Sequence, residues 1–354
     1  MRLAERFARG FERAVMSMDG PKPCGLQLVS DTFDGKTYTI DEFYDWVQPY
    51  FSRPAEFFRD FAYAGAPNLR PESTAGTRSR GNPDYDALVF DAPLPTEWQS
   101  NNRVPFKWFY APDARSKAIL LFAPGWARAN QQLEVSISRR LRKHGIDVGL
   151  MTVPFHQERA PAGSYSGEYF ISPNLFWTIA NFRQFTAEIR LLVQYMRQRY
   201  AYVGLIGLSS GGFQAGLATL GEPVDFLFPI MTGCRLGSIV FRGTLTRHLR
   251  ADLERRGIDE GALTKVWSIT DLQNVGHASQ VKYRKQYITA FDSVIPPEFQ
   301  EALWQVYGRP ERFDLATSHY SVFFALPKLA KDIATYVHRC IAAEVGASTE
   351  SRSA

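Results

Sequence analysis

From about residue 85 onward the apolar positions change period repeatedly, and the changes predict an alternating series of strands and helices. Residues 88–92 and 104–110 read as two opening strands, and residues 118–123 (A-I-L-L-F-A) are apolar without a break, as a strand buried on both faces must be. Helical spacing follows over 131–144 and stops at Gly145. A strand at 146–153, a long helix at 177–200 and a strand at 203–206 come next. Small residues at 213–220 predict a helix that packs close under the sheet. Strands at 225–231, 286–291 and 313–316 and a last helix at 326–345 complete the series. Strands that alternate with helices imply a mostly parallel sheet covered on both faces. The expected fold class is therefore α/β.

The rest of the chain breaks this rhythm. Residues 1–85 read as a helical, loop-rich extension that packs on a main domain at 86–345, and 346–354 as a flexible tail. Within the extension, Leu3, Phe7 and Phe11 recur every four residues with Arg2, Arg6, Arg9 and Arg13 between them, the pattern of an amphipathic helix. Docking on the protein's own surface is the favoured use of that helix, ahead of peripheral contact with a membrane surface. The aromatic stretch 43–61 predicts short helices interrupted at Pro49 and Pro54, and 67–84 reads as an exposed loop.

At 354 residues and 45% hydrophobic, the chain can bury one large core. The net charge of +5 is spread along the chain, apart from R-R-L-R-K-H at 139–144, which suits the end of a helix. It gives no reason to expect nucleic acid. Cys24, Cys234 and Cys340 are odd in number and scattered with no C-x-x-C spacing, so neither a disulfide framework nor a zinc site is indicated. The start of the chain lacks the apolar core of a secretory signal and no stretch reads as a membrane span, so a reducing, cytoplasmic setting is expected. There is no G-x-G-x-x-G after a strand, no P-loop and no H-E-x-x-H, which argues against dehydrogenase, nucleotidase and metal-hydrolase classes. No cofactor and no metal are expected.

The chemistry concentrates at residues 203–212, V-G-L-I-G-L-S-S-G-G, where Ser209 is the centre of G-x-S-x-G between a strand and a helix. As a bare pattern the motif is weak. In that context, however, a sharp turn lifts the serine hydroxyl clear of the sheet, and glycines are needed because side chains would collide. A nucleophilic serine needs a base, and the base needs an orienting acid. Of the histidines after Ser209, His319 in A-T-S-H-Y-S follows the last predicted strand, whereas His338 lies within the final helix and His277 is a weaker competitor. Asp292 in F-D-S-V-I-P-P ends the penultimate strand and is the preferred acid, with Asp271 as runner-up. An oxyanion hole calls for two backbone donors. Ser210 supplies one, and the turn A-P-G-W after the third strand supplies the other through Trp126, with Gly125 allowing close approach. Two insertions at the carboxyl edge, 156–176 and 234–280, are lid candidates; His156 and Glu168 in the first are candidate substrate contacts.

Together and in this order, G-L-S-S-G-G, A-P-G-W, F-D-S-V-I-P-P and T-S-H-Y-S resemble the α/β-hydrolase superfamily over roughly residues 85–345. N-N-R-V-P-F, P-F-H-Q-E-R-A-P-A-G-S-Y-S-G-E and L-T-R-H-L-R-A-D-L-E-R-R-G are in addition similar to the abhydrolase domain-containing protein 18-like group. The resemblance implies an eight-stranded sheet that carries the Ser209–Asp292–His319 site, and it supplies no substrate; the leading reading of the residues is a serine hydrolase acting on a small-molecule carboxylic ester, lipid-like esters and thioesters included. One departure is Ala-Pro where many esterases carry a His-Gly turn. The alternative from another class is a non-catalytic scaffold of the same fold that binds a small molecule or partner. Oligomeric state is not legible from these residues.

Overall fold

The computed structural model describes residues 2–19, 32–58, 67–72, 84–112 and 116–353. Cys24, the end of the aromatic stretch and residues 73–83 of the expected loop lie outside them. One sheet of nine strands forms the centre. In chain order these are β1 (Arg70–Pro71), β2 (Tyr85–Asp91), β3 (Arg103–Phe109), β4 (Ala118–Ala123), β5 (Asp147–Met151), β6 (Tyr202–Leu208), β7 (Val224–Ile230), β8 (Val281–Thr289) and β9 (Glu311–Leu315). Across the sheet they run β9-β8-β7-β6-β4-β5-β3-β2-β1. The pairs from β5 to β9 are parallel, and β1, β2 and β3 add an antiparallel edge.

Eight strands fall where the apolar runs place them, and the ninth is β1. That strand is two residues long and includes Pro71, so it carries no periodic signal and lies inside the stretch read as a loop.

Burial explains the arrangement. All six residues of β4 are buried, with Ile119 and Leu121 facing one core and Leu120 and Phe122 the other. Burying each large side chain of this kind is worth roughly 1.5–3 kcal/mol. Helices Leu175–Arg197 and Gly211–Ala218 pack on the first face, and helices Gln132–Lys143 and Leu326–Ser353 on the second. The final helix continues to Ser353, through the stretch read as a tail.

The extension has an aromatic heart. Thr39 closes a capping box with Glu42 at the start of helix Ile40–Val47, and Phe43 of that helix meets Phe176 with ring centroids 4.8 Å apart. Pro49 and Pro54 break the stretch into a 3-10 turn and the short helix Pro54–Phe57. The first helix, Arg2–Asp19, lies on the body with Ala8, Glu12 and Met16 buried and its arginines exposed.

Insertion 234–280 folds as short helices, of which Arg247–Arg255 is the longest. Insertion 156–176 is not loosely held. Arg159 is fully buried and donates to both oxygens of Glu188 at 2.7 and 2.8 Å and to the carbonyls of Asn101 and Thr152.

Candidate active site

The site forms where strands β4, β6, β7, β8 and β9 end, the edge at which open α/β sheets bind ligands. Strand β6 runs directly into Ser209, and helix Gly211–Ala218 starts two residues later. Ser209 has φ 54°, a left-handed conformation that costs a non-glycine residue of order 1–2 kcal/mol. Its amide donates to Ile230 O at 2.8 Å and its carbonyl accepts from Gly212 at 3.1 Å, which holds the turn. A side chain at Gly211 would strike the carbonyl oxygens of Ala123 and Pro124, and one at Gly207 would strike the backbone of Gly212. The spacing of the motif is therefore a packing requirement.

His319 follows β9 on the same edge. Its Nδ1 bonds Asp292 Oδ2 at 2.9 Å. Asp292 is buried at the end of β8, and Oδ1 accepts the amides of Val294 and Ile295 at 2.9 Å each. Oδ2 also accepts Thr289 Oγ1–H at 2.8 Å and Gln300 Nε2–H at 3.3 Å. A carboxylate so held can present one oxygen to the imidazole in one orientation only. The proton on Nδ1 leaves Nε2 as the ring's acceptor.

Ser209 and His319 line one cavity of about 120 Å³, together with Gly125, Trp126, Met231 and Leu245. No hydrogen bond joins Ser209 Oγ to His319 Nε2, and neither atom has another partner among the described residues. Such contacts are commonly long before a ligand closes the site. The amides of Trp126 and Ser210 likewise have no acceptor among the described residues. Both belong to backbone that borders Ser209, and the Gly125 position lies against Leu208 O and Ser209 Cβ.

His156 and Glu168 are not brought to this cavity. His156 is buried with both nitrogens engaged: Nδ1–H donates to Pro154 O at 2.8 Å, and Nε2 accepts Ala127 N–H at 3.0 Å. Burial pulls its pKa down to about 4, which keeps it neutral. It thus props the Gly125–Ala127 turn from behind. Trp126 reinforces that turn by donating Nε1–H to Gly167 O at 2.7 Å. Glu168 is also buried, and its Oε2 accepts the amide of Tyr165 at 3.0 Å within its own loop. On sequence alone both are candidate substrate contacts, because an irregular loop has no period that separates inward from outward side chains.

The competitors sit elsewhere. Asp271 accepts the amides of Arg235, Leu236 and Gln273 at 2.7–2.9 Å, so it ties two helix starts together. His277 is exposed, and His338 bonds the carbonyl of His144 at 2.7 Å. Among the described residues no cluster of His, Cys, Asp and Glu could hold a metal ion.

A residue that sequence reasoning passed over completes the surroundings. Glu12 of the first helix is 2% exposed and accepts the amide of His319 at 3.1 Å. The available signal was its helical position, four residues from Ala8 and four from Met16, among apolar neighbours rather than on the arginine stripe.

This sheet, with a serine turn after a central parallel strand and an acid and a histidine after the next strands, is the α/β-hydrolase fold. The comparisons with solved structures agree. The acetyl xylan esterase from Paenibacillus sp. R4 superposes with a TM-score of 0.56 at 13% identity, over 91% of this chain and 99% of that one. Est1E from Butyrivibrio proteoclasticus superposes with a TM-score of 0.50 at 12% identity, over 68% of this chain and 95% of that one. At these identities the likeness is one of fold. Among curated proteins, the uncharacterised protein YdjC of Bacillus subtilis (strain 168) is 25% identical over 107 residues, 29% of this chain and 89% of that protein. No family model matches the chain.

Proposed function

We propose that this protein is a serine hydrolase that cleaves a carboxylic ester through an acyl-enzyme on Ser209. The observation that carries this reading is the convergence on one cavity of a strained Ser209 and of His319, whose imidazole is oriented by the buried Asp292. Ser209 Oγ attacks the ester carbonyl while His319 Nε2 takes its proton. The amides of Ser210 and Trp126 hold the resulting oxyanion, each such donor being worth about 3 kcal/mol. As the carbonyl re-forms, the alcohol departs with the proton from His319. Water, deprotonated by the same imidazole, then attacks the acyl-enzyme, and the acid leaves as Ser209 regains its proton.

The size of the cavity supports a narrower substrate class. About 120 Å³ is well below the roughly 300–1,000 Å³ of sites for drug-sized ligands, which favours a short acyl group over a long lipid-like chain. The name of the first structural neighbour, an acetyl xylan esterase, is in keeping with an acyl group of that size. The likeness to the abhydrolase domain-containing protein 18-like group rests on three segments and adds no substrate. We assign the enzyme to the cytoplasm on its few, scattered cysteines, of which Cys234 and Cys340 are free. No described helix is long and apolar enough to cross a membrane.

Labelling with a fluorophosphonate probe and turnover of p-nitrophenyl esters of increasing chain length test the reading. Wild type is expected to label and to prefer acetate to octanoate, and Ser209→Ala to do neither. Labelling that survives Ser209→Ala refutes the nucleophile. A folded wild type that neither labels nor turns over would leave a non-catalytic scaffold as the better account.

A further inference from the structure

The first helix reaches the machinery of the site. Glu12 Oε2 accepts Ser293 Oγ–H at 2.7 Å, while Oε1 accepts the amide of His319 at 3.1 Å. Ser293 directly follows Asp292. One carboxylate therefore ties the loop of the acid to the loop of the base. Neighbouring contacts seat the same face of the helix: Ser318 Oγ–H donates to Ala8 O at 3.0 Å, and Thr244 Oγ1 meets Met16 Sδ at 3.3 Å. Val15 adds to the cavity wall.

This bridge is expensive to keep. Burial raises the pKa of Glu12; the hydrogen bond from Ser293 opposes it in part, the nearby Asp292 raises it again, and His319 lowers it least. A carboxylate buried on two neutral donors contributes little to stability compared with an apolar side chain of the same size. Its geometric effect is larger. His319 follows β9 by only a few residues, and apart from the bond to Asp292 its place relative to Ser209 depends on how this loop is held.

We propose that Glu12 is a positioning residue of the hydrolytic site, holding the main chain of His319 in register with Asp292, so that the first helix is an integral part of the active site. The proposal rests on the serine-hydrolase reading and deepens it. It assigns Glu12 no contact with substrate.

The test uses the full chain, with Glu12→Ala, Glu12→Gln, Ser293→Ala and, as a control for helix docking, Phe11→Ala, whose ring packs on Phe7 and Phe324. Misplacing a catalytic group by an ångström can cost about 100-fold, so Glu12→Ala is expected to lower kcat and the rate of fluorophosphonate labelling about 10- to 100-fold with KM changed less than about threefold. The amide of Glu12→Gln can accept from His319 and donate to Ser293 Oγ, and should restore kcat to within about fivefold of wild type. Ser293→Ala removes one end of the bridge and should cost about two- to fivefold, which keeps the test open should Glu12→Ala not fold. Phe11→Ala should lower Tm with kcat nearly unchanged. The proposal is overturned if wild type is active and Glu12→Ala or Ser293→Ala matches it. Glu12→Gln as inactive as Glu12→Ala, or Phe11→Ala losing kcat in proportion to Tm, overturns it equally. A wild type that does not label removes the hydrolase reading itself, and this proposal with it.

Discussion

Replacing Asp292 by Asn tests the proposed site most sharply, because the surrounding bonds dictate how the amide must sit. Oδ1 of Asp292 accepts two amides, from Val294 and Ile295, each at 2.9 Å. An Asn with its NH2 turned toward them would set donors against donors in a buried site, at a cost of about 1–3 kcal/mol for each unsatisfied group. The oxygen therefore stays there and the NH2 takes the place of Oδ2, 2.9 Å from His319 Nδ1. Nδ1 must then accept, which moves the ring proton to Nε2 and leaves the imidazole unable to take a proton from Ser209. The loss expected from a wrong tautomer in such a triad is about 10⁴-fold in kcat, equivalent to about 5 kcal/mol of transition-state stabilisation. The assay is kcat on p-nitrophenyl acetate beside the rate of fluorophosphonate labelling, with thermal unfolding as a check on folding. Asn keeps the bonds to Val294 and Ile295 but no longer accepts from Thr289 Oγ1 and Gln300 Nε2; these donors retain Gln300 Oε1 and Ile295 O as acceptors, so Tm should fall by only a few degrees. A folded Asp292→Asn protein with kcat within tenfold of wild type would refute the assignment of Asp292.

Other consequences are equally open to measurement. His156 has its pKa lowered from the ordinary histidine value to about 4, so the unfolded chain binds the extra proton first as pH falls, and stability is lost from about pH 6.5 down toward 4. The loss from this group is of order 3 kcal/mol, and His156→Gln should flatten the difference in urea midpoint between pH 7 and pH 4.5; parallel pH dependences would contradict it. Arg159→Met leaves Glu188 buried with its charge uncompensated and should cost about 3–5 kcal/mol in urea unfolding; a loss below about 1 kcal/mol would mean that the insertion is not pinned there. Gly211→Ala puts a methyl group against the carbonyls of Ala123 and Pro124, and is expected to abolish labelling and lower Tm by several degrees, which calorimetry and probe incorporation can check.

The larger part of this fold was legible because two periodicities carry it. Unbroken apolar runs such as A-I-L-L-F-A mark strands buried on both faces, and each of the eight strands read from them is present. The meeting of Asp292 and His319 was legible for a related reason: both stand where apolar runs stop, and the sheet fixes where those stops meet in space. What escaped the sequence lacks such a frame. Strand β1 is too short to show a period. His156 and Glu168 lie in an irregular loop, where inward and outward side chains share the same polar vocabulary. Glu12 sits far from the site in sequence, and only the docking of the first helix reveals its reach.

Backbone strain shows how the sheet and the proposed chemistry are connected. Ala127, Phe155, Ser209 and Met231 have φ between 51° and 62°, and they follow the carboxyl ends of β4, β5, β6 and β7. At about 1–2 kcal/mol each, these conformations are not there by local preference. Each is held by a bond from another segment: Ala127 by His156, Phe155 by Asn101 Oδ1 at 2.9 Å, Ser209 by Ile230, and Met231 by the carbonyl of Tyr287 at 3.0 Å. The strands thus impose the turns, and the turns bring the Gly125–Ala127 segment and Ser209 to one cavity. A substitution that relaxes one turn, such as Ser209→Gly, should therefore gain stability while losing all labelling, whereas Ser209→Ala should label no better and gain less. A Ser209→Gly protein no more stable than Ser209→Ala would show that the left-handed turn carries no strain to release.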